Sequence, residues 1–467
     1  MARSDTIIKI LPGERFTPYG LACKLNAVAI LESSSFDKGR ERYSLLVVEE
    51  AFRLEQRGRE IVLWSGANRS VVRSKAKDIL DVQLYFANQH AAPHQDFPFP
   101  AGGIGYLSYE FAAYCDTIRI SQKADALTLP DACFLFGHVF VVFDHYTDLV
   151  YLIGLNYDEH EIDLERALAE TERRVNDLDF NYMQANEIAY AATIVGGGER
   201  REYLDGVAEI RDEIIKGNLL QAVLSRRVEL ETDLPAMEAY RRLRTANPSP
   251  YLFYLNFGSY ELFGSSPEVH VKLKDGRVTI RPIAGTRRRG RDRYEDKRLE
   301  EELLADEKEL AEHLMLVDLA RNDIGRVCEP GSVTLTARNV VERYSHVMHI
   351  VSQVEGRLDE GRSGPDLIRA TFPAGTVSGA PKIRAIEVLD RLEAVPRRFY
   401  SGLVGYLEPG GSLDTCITIR SGYKSGLKLV LQAGAGIVYD SRPEREYEET
   451  QEKLAALARA AGVEVDL

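Results

Sequence analysis

The chain lacks the features that mark membrane and secreted proteins. No apolar run reaches the roughly 18 residues that a membrane-spanning helix needs. The opening stretch MARSDTIIKILPGERF has no apolar centre like that of a signal peptide, so we expect a cytoplasmic protein without a membrane partner. Only 5 cysteines occur and none forms a CxxC pair, which disfavours both a zinc site and a disulfide framework.

Excess positive charge is also missing. The chain has 72 acidic against 59 basic side chains, a formal charge of −13. Affinity for a phosphate backbone requires clustered Lys and Arg, so nucleic acid is not an expected partner. An anionic ligand would need a local positive site made of arginines, backbone N–H groups or a bound cation.

What is present suggests a large α+β protein. The 467 residues are 45% hydrophobic, enough to bury a large core. Strand-like and helix-like segments occur in runs instead of strict alternation, which favours α+β over a doubly wound parallel fold. The glycine triplet at 196–198 follows an acidic helical pattern, and we place a boundary between about 180 and 198.

Periodicity predicts the individual elements. Strands are predicted at 43–48, 60–64, 134–143, 149–154, 219–230, 251–257, 261–264, 269–273, 278–282, 400–407, 414–420 and 427–432. Helices are predicted at 157–178, 201–217, 295–322, 380–392 and 441–461. The runs 134–143 and 149–154 are expected to pair across a short turn.

Two carboxylate pairs occur at helical spacing. Glu309 and Glu312 are three residues apart, as are Glu446 and Glu449, and Lys453 follows four residues later. Such pairs are usually solvated acidic faces. A divalent cation with oxygen ligands would relieve their repulsion if both helices faced one cleft, and spacing alone does not decide between these interpretations.

Other candidate groups stand near strand ends. The segment 434–436, Gly-Ala-Gly, is predicted to follow a strand, where backbone N–H groups can hold a carboxylate or phosphate. It lacks the third glycine of a dinucleotide fingerprint, and residues 375–382 fail the P-loop spacing. Arg420 ends a predicted strand and is suited to binding a carboxylate, while Glu268 follows a proline and is suited to proton transfer.

These groups lie within a long ordered series of motifs. The motifs are LLQAVLSRR (219–227), GSSPE (264–268), RPIAGT (281–286), ELAEHLMLVDLARNDIGR (309–326), ERYSHVMHIVSQVEG (342–356), FPAGTVSGAPKIRAIE (372–387), FYSGLVGY (399–406), DTCITIRS (414–421) and QAGAGIVYDSRPEREYEET (432–450). The first part adds AILESSSFDKGRERYSLLVVE (29–49) and GGIGYLSYE (102–110). The series resembles the chorismate-binding enzymes, most closely the large subunits of anthranilate synthases.

The resemblance implies a fold and a set of partners. We expect large, mainly antiparallel sheets packed as a sandwich with helices outside. Residues 1–190 would form an amino-terminal domain with a tryptophan-binding regulatory motif, and residues 198–467 a catalytic domain for chorismate. Mg²⁺ would be the cofactor. No cysteine has the glycine-flanked setting of a glutamine amidotransferase, so a separate amidotransferase subunit would supply ammonia.

The resemblance also assigns roles to single residues. Substrate contacts fall on Gly285, Thr286, Tyr400, Arg420, Gly434, Ala435, Gly436 and Lys453. Metal ligands fall on Glu312 and Glu449, with Glu309 and Glu446 beside them. The catalytic set is Glu268, His349, Thr286 and Thr376, in which Glu268 would protonate a leaving hydroxyl. The tryptophan pocket falls on Leu31, Glu32, Ser33, Pro250, Tyr251 and Leu252.

Two uncharged side chains, Gln221 and Ala284, indicate which nucleophile would react with the substrate. Isochorismate and salicylate synthases resemble this chain but carry a lysine that activates water where Gln221 stands. Aminodeoxychorismate synthases typically carry a lysine nucleophile in place of Ala284. With neither lysine, ammonia would add directly, giving anthranilate and pyruvate, the first committed step of tryptophan biosynthesis. Feedback inhibition by tryptophan is expected, although Leu252 replaces a common methionine, a volume-similar change that leaves sensitivity open.

Two alternatives remain open at this point. An aminodeoxychorismate synthase component I would share the substrate but make a different product. A catalytically silent subunit that binds chorismate or tryptophan would belong to another functional class.

Overall fold

We describe the fold from a computed structural model. It describes residues 6–33, 42–91, 97–177, 189–344 and 347–465. The predicted tryptophan signature at 29–49 is therefore described except for residues 34–41, and the motif at 342–356 except for residues 345 and 346.

The described residues before the predicted boundary form mostly strands. These elements are β1 (Thr6–Pro12), α1 (Pro18–Leu25), β2 (Ala29–Glu32), β3 (Tyr43–Arg57), β4 (Glu60–Ser65), β5 (Asn68–Val71), α2 (Ile79–Ala87), β6 (Ile104–Leu107), α3 (Ala112–Cys115), β7 (Ala132–Asp144), β8 (Leu149–Leu155) and α4 (Leu164–Asn176).

The described residues after the boundary form further strands and the longer helices. These elements are β9 (Tyr190–Ala191), β10 (Thr193–Gly197), α5 (Arg200–Ile215), β11 (Gln221–Glu231), α6 (Ala236–Ala246), β12 (Tyr251–Asn256), β13 (Glu261–Ser266), β14 (Val269–Lys274), β15 (Arg277–Ile280), β16 (Ile283–Arg288), α7 (Arg293–Ala305), α8 (Glu307–Gly325), β17 (Thr334–Arg343), β18 (Val347–Arg357), α9 (Gly364–Thr371), β19 (Gly379–Ala380), α10 (Lys382–Leu392), β20 (Leu403–Leu407), β21 (Leu413–Ile417), β22 (Ser421–Ser425), β23 (Lys428–Ile437), α11 (Pro443–Ala461) and β24 (Val463–Glu464).

One antiparallel hydrogen-bonded network contains nearly all of these strands. From β3 one branch runs through β2, β12, β13, β22, β23 and β11 to β10. From β7, which pairs with β3, a second branch runs through β6, β20, β21, β14 and β15 to β18. Strands β16 and β17 both pair with β18. The predicted α+β class with large antiparallel sheets is confirmed.

The core lies between the two branches. The largest cluster of buried side chains joins Phe52 on β3 and Phe136 on β7 with Phe253 on β12, Val271 on β14 and Val404 on β20. Strand β7 is buried at every position, as its continuous apolar run predicts for a central strand. Its predicted pairing with β8 across the turn is confirmed, with Asp144 opposite Leu149.

Both predicted parts of the chain contribute to the same sheet. Strand β2 pairs with β12, and β6 pairs with β20. The division into 1–190 and 198–467 stays a prediction, and residues 178–188 lie outside the described part of the chain. No helix within the described ranges is both long and apolar enough to cross a membrane.

Several predicted boundaries were wrong. The helix predicted at 295–322 is two helices, because Asp306 adopts an extended conformation and its carboxylate caps the N–H groups of Lys308 and Glu309 at the start of α8. The helix predicted at 157–178 begins only at Leu164, after the cap Asp163. The strand predicted at 414–420 ends at Ile417.

Candidate active site

A glycine bulge shapes one wall of the candidate site. Strand β16 pairs Ala284 with Ile350 and Thr286 with His349, so Gly285 is the extra residue between the two pairs. Its φ of 65° lies in the left-handed region, and a Cβ there would approach Glu309 Oε2 to 3.2 Å. The bulge turns the Gly285 carbonyl towards His349 and brings the strand against helix α8.

His349 is held in one tautomer by this wall. Its Nδ1 lies 3.0 Å from the Gly285 carbonyl and 3.1 Å from Thr286 Oγ1. Because a carbonyl only accepts hydrogen bonds, Nδ1 carries the proton and Nε2 keeps its lone pair. Burial is the main cause that lowers the pKa of His349 to about 4, and Arg420 adds to the effect. The imidazole is therefore neutral near pH 7.

Glu268 lies between strands β13 and β14 and is 8% exposed. Burial raises the pKa of its carboxyl to about 7, opposed by Thr376 and by the positive charge of Arg420. The Thr376 hydroxyl is buried and has no partner in hydrogen-bonding geometry among the described residues. A carboxyl group with this pKa can hold and donate a proton near neutral pH.

Arg420 supplies a partly buried cation near this acid. The residue has a φ of 49°, and its carbonyl accepts from Ser265 N at 3.0 Å. Burial lowers the pKa of its guanidinium, while Tyr344 and Glu268 are the groups that raise it. Its side chain forms no hydrogen bond or ion pair with any residue that the structure describes, which leaves its donors available to an anion.

The Gly-Ala-Gly segment lies inside strand β23, so the prediction that it follows a strand was wrong. It pairs with β11, with Gly434 opposite Ser225 and Gly436 opposite Val223. The Gly434 carbonyl instead accepts from Lys453 Nζ at 2.9 Å, so its polar groups point away from β11. In an antiparallel pair, alternate residues direct their backbone N–H and C=O groups towards the partner strand and away from it. The backbone groups of Gly436 therefore also point away from β11, while those of Ala435 hydrogen-bond to β11.

Close packing explains why both positions are glycine. A Cβ on Gly434 would lie 3.1 Å from the Tyr400 hydroxyl and 3.0 Å from a β11 carbonyl. A Cβ on Gly436 would lie 2.6 Å from Gln221 Nε2. Tyr400 is buried, which raises its pKa to about 12, while Arg397 opposes the rise. The phenol is therefore a neutral hydrogen-bonding group at the edge of the glycine strand.

The predicted carboxylate pairs on α8 and α11 face each other. Burial raises the pKa of Glu312, and the charges of Glu309 and Glu449 raise it further. Burial and Glu449 likewise raise the pKa of Glu446. Repulsion between two different helices means that their carboxylates share one cleft. The partial burial of Glu312 is more than a fully solvated acidic face would give.

The four carboxylates differ in how far they are already neutralised. Arg287 Nη1 lies 3.0 Å from Glu309 Oε1, and Lys453 Nζ lies 2.7 Å from Glu449 Oε1. Gln221 Nε2 donates to Glu312 at 3.3 Å. No group of three or more metal-binding side chains occurs within the described ranges. Two carboxylates with open positions fit Mg²⁺, which commonly takes one or two protein carboxylates together with waters and substrate oxygens.

The six residues assigned to a tryptophan pocket line one separate cavity of about 760 Å³. They are Leu31, Glu32, Ser33, Pro250, Tyr251 and Leu252. Glu32 pairs with Arg244 through Oε2, and its Oε1 is buried without a partner among the described residues. Pro267 and Val269 also line this cavity, so the chain segment carrying Glu268 separates it from the candidate active site.

Sequence reasoning missed two arginines that position the site. Arg287, directly after the RPIAGT motif, holds Glu309 and Asp306. Arg397 is 1% exposed and donates to the carbonyls of Val223 and Val377. Its place just before the motif FYSGLVGY was the available signal, but nothing in the sequence indicates that it is buried.

Comparison with known proteins accounts for this arrangement. The model of the chorismate binding enzymes matches residues 37–459. The chain belongs to the chorismate-binding enzyme family. It is 62% identical over 464 residues to anthranilate synthase component 1 of Spirochaeta aurantia, covering 99% of this chain and 96% of that protein. Its identity to the component 1 of Pseudomonas aeruginosa is 43% over 376 residues, covering 78% and 76%.

Solved structures of the family agree with the fold. The crystal structure of anthranilate synthase component I from Streptococcus pneumoniae superimposes with a TM-score of 0.81 at 35% identity, covering 90% of this chain and 92% of that one. The menaquinone-specific isochorismate synthase MenF of Escherichia coli superimposes with a TM-score of 0.73 at 20% identity, covering 98% and 94%. The second likeness supports the fold alone.

Proposed function

We propose that this protein is the chorismate-converting component of an anthranilate synthase, which turns chorismate and ammonia into anthranilate, pyruvate and water. The observation that carries the proposal is that two groups occur together: Glu268, a buried acid whose pKa of about 7 leaves it partly protonated at neutral pH, and Arg420, a partly buried cation without a partner among the described residues. Together they offer a proton to a leaving hydroxyl and a charge to a substrate carboxylate. The high identity to component 1 proteins supports the same reaction.

The residues suggest an order of events. Arg420, Tyr400 and the backbone groups of Gly434 and Gly436 bind and orient the dianionic substrate. Glu268 gives its proton to the C4 hydroxyl as ammonia adds at C2 and water leaves. Loss of the C2 proton and of the enolpyruvyl group then gives anthranilate and pyruvate. His349 Nε2, an acceptor at neutral pH, orients a substrate hydroxyl or receives a proton.

We infer that Mg²⁺ is the cofactor and that Glu312 and Glu449 hold it, with Glu309 and Glu446 behind them. The raised pKa values of Glu312 and Glu446 reflect carboxylates whose repulsion a cation would relieve. When bound, Mg²⁺ would offset the charge of the ring carboxylate and favour departure of the hydroxyl.

We infer that ammonia is the nucleophile, because neither Ala284 nor Gln221 can attack the substrate or activate water. Ala284 carries no nucleophile, and Gln221, which donates to Glu312, is not a useful base. This disfavours an aminodeoxychorismate synthase, which would place a lysine at position 284. The five cysteines are all free, in keeping with a reducing cytoplasm, and we infer that a separate glutamine amidotransferase subunit delivers the ammonia.

We also propose that tryptophan binds the cavity at Leu31–Ser33 and inhibits the enzyme. The cavity is large enough for an amino acid with an aromatic side chain. The free oxygen of Glu32 is suited to the ammonium group, since an ion pair with it would satisfy a buried acceptor.

Incubation of the purified protein with chorismate, Mg²⁺ and ammonium tests the reaction. Fluorescent anthranilate and pyruvate should form in equal amounts, and glutamine should replace ammonium only when an amidotransferase subunit is added. Accumulation of aminodeoxychorismate without pyruvate would overturn the proposal in favour of the related enzyme. Absence of any chorismate turnover would favour a silent binding subunit.

A further inference from the structure

A small space lies against Glu268. Its volume is about 30 Å³, and β14, helix α8 and the loop that carries Thr376 form its walls. Glu268, His270, Thr376 and Asp323 line it among apolar side chains. A water molecule needs about 10–15 Å³ measured in this way and two to four polar partners, so the space is large enough for one or two.

His270 presents an unused acceptor to this space. The Thr415 hydroxyl donates to the Val271 carbonyl at 2.8 Å, so it must accept at the 3.2 Å contact with His270 Nδ1. Nδ1 therefore carries the proton and Nε2 keeps a lone pair. Nε2 is buried without a partner in hydrogen-bonding geometry among the described residues, and the ring is 3% exposed.

The neutral state of His270 is secured by its surroundings. Burial and the positive charge of Lys382 lower its pKa to about 3, while the Thr371 carbonyl, which would accept a hydrogen bond from the protonated ring, opposes them. Lys382 Nζ donates to that carbonyl at 2.9 Å and pairs with Asp323 Oδ2 at 2.6 Å. The ion pair fixes the charges around the space, and the His270 lone pair persists throughout the working pH range.

Thr376 contributes a second polar atom without a partner among the described residues to the lining of this space. Thr376 Oγ1 is buried and also lacks a partner in hydrogen-bonding geometry within the described part of the chain. Leaving two buried polar atoms unsatisfied is costly. One water can satisfy both by donating one hydrogen to His270 Nε2 and the other to Thr376 Oγ1.

We propose that His270 is a positioning residue which, through one bound water molecule in this space, favours the protonated form of Glu268. With both of its hydrogens engaged, the water presents only a lone pair to Glu268, and it therefore accepts from the carboxylic acid but has no hydrogen to give the carboxylate. The inference deepens the proposed function, since it rests on Glu268 as the proton donor.

Two substitutions separate the two nitrogens of the ring. His270→Asn keeps an N–H near the Nδ1 position for Thr415 and removes the acceptor at Nε2. His270→Gln instead reaches towards the Nε2 position. In His270→Asn the water regains a free hydrogen for the carboxylate, so the pH at which alkali halves kcat should fall by about one unit. His270→Gln should shift it by less than half as much.

Readouts that do not require turnover keep the inference testable. The infrared band of the protonated Glu268 carboxyl, identified by its loss in Glu268→Gln, should titrate at lower pH in His270→Asn. A high-resolution crystal structure should contain a water within about 3.2 Å of Nε2. An unchanged titration, or an Nε2 bonded directly to the Thr371 carbonyl, would overturn the inference.

The outcomes also distinguish this inference from the proposed function. A shifted Glu268 titration in a protein that makes no anthranilate would refute the function and support the role of His270. Anthranilate formation with an unshifted titration would do the reverse. If His270→Asn fails to fold, the presence or absence of the water at Nε2 in the wild-type crystal structure decides the question.

Discussion

At the scale of single residues, burial sets the protonation states that the reaction needs. Glu268 and His349 are both buried, and burial moves their pKa values in opposite directions because it disfavours the charged form of each. Glu268 therefore retains a protonated fraction near pH 7, and the imidazole of His349 remains neutral. Arg420 stays charged and available in the same cleft, which therefore contains a proton donor, an acceptor and a cation.

Glu268→Gln tests the proton donor. The amide keeps the size of the side chain but has no acidic proton, so kcat should fall by about 10²–10⁴-fold with the fold unchanged. In the wild type, kcat should fall as pH rises through about 7, because Glu268 then loses its proton. Anthranilate fluorescence measures both effects.

Glu408→Gln is the matched control for this change. Burial also raises the pKa of Glu408, which accepts from Phe99 N at 2.8 Å away from the catalytic residues. Its replacement should leave the rate and its pH dependence unchanged. A normal rate in Glu268→Gln would remove Glu268 from the mechanism.

The buried ion pair between Arg397 and Glu393 holds together three segments around the candidate active site. Its guanidinium lies 2.6 Å from Glu393 and donates to Val377 and Val223, thereby joining α10, the loop after Thr376 and β11. Arg397→Met would leave Glu393 as an unpaired buried charge, and we expect a loss of about 3–5 kcal/mol in the free energy of unfolding. Denaturant unfolding measures it.

An exposed arginine provides the comparison. Arg445 pairs with Glu448 and Glu452 on the surface of α11, with more than half of each side chain exposed. Arg445→Met should not change the free energy of unfolding measurably. Equal effects of the two substitutions would contradict the special role of the buried pair.

At the scale of elements, local pattern predicted the apolar strands well and the site-bearing strands poorly. Strand β7 is buried throughout, so its composition alone predicts it. Strand β17 alternates irregularly, carries two register shifts against β18 and is half exposed, and we did not predict it. The bulge at Gly285 and the orientation of Gly434 depend on partners distant in sequence, which periodicity does not contain.

The facing of α8 and α11 is another property of elements that spacing could not establish. Glu312 and Glu449 are far apart in sequence, and only the tertiary structure brings them near each other. The resemblance to the family had already assigned both residues to the metal. We expect chelation to abolish turnover and Mg²⁺ to restore it. Glu312→Gln or Glu449→Gln should raise the Mg²⁺ concentration needed for half-maximal rate by at least about tenfold.

The control for this prediction lies on the same helix. Glu307 is an exposed carboxylate in the first turn of α8, and Glu307→Gln should leave the Mg²⁺ requirement unchanged. An unchanged requirement in both cleft variants would place the metal elsewhere.

At the scale of the whole molecule, two sites share one wall. Pro267 and Val269 line the 760 Å³ cavity, while Glu268 between them lines the space behind the active site. Ile283 lines the same cavity and precedes Ala284 and the Gly285 bulge. Since successive side chains of extended backbone point to opposite faces, we expect a ligand in the cavity to displace the residues on the catalytic side.

This arrangement predicts that binding and inhibition by tryptophan can be separated. Val269→Ala thins the wall beside Glu268, so tryptophan should still bind but should inhibit only partly at saturation, because the two sites lose coupling free energy. Leu45 on β3 lines the cavity without belonging to the wall. Leu45→Ala should therefore weaken binding yet leave inhibition complete once the cavity is saturated. Calorimetry gives the affinity and the anthranilate assay gives the residual rate. Complete inhibition of Val269→Ala at saturating tryptophan would mean that the signal travels by another route, such as the pairing of β2 with β12 that carries Leu31 and Leu252.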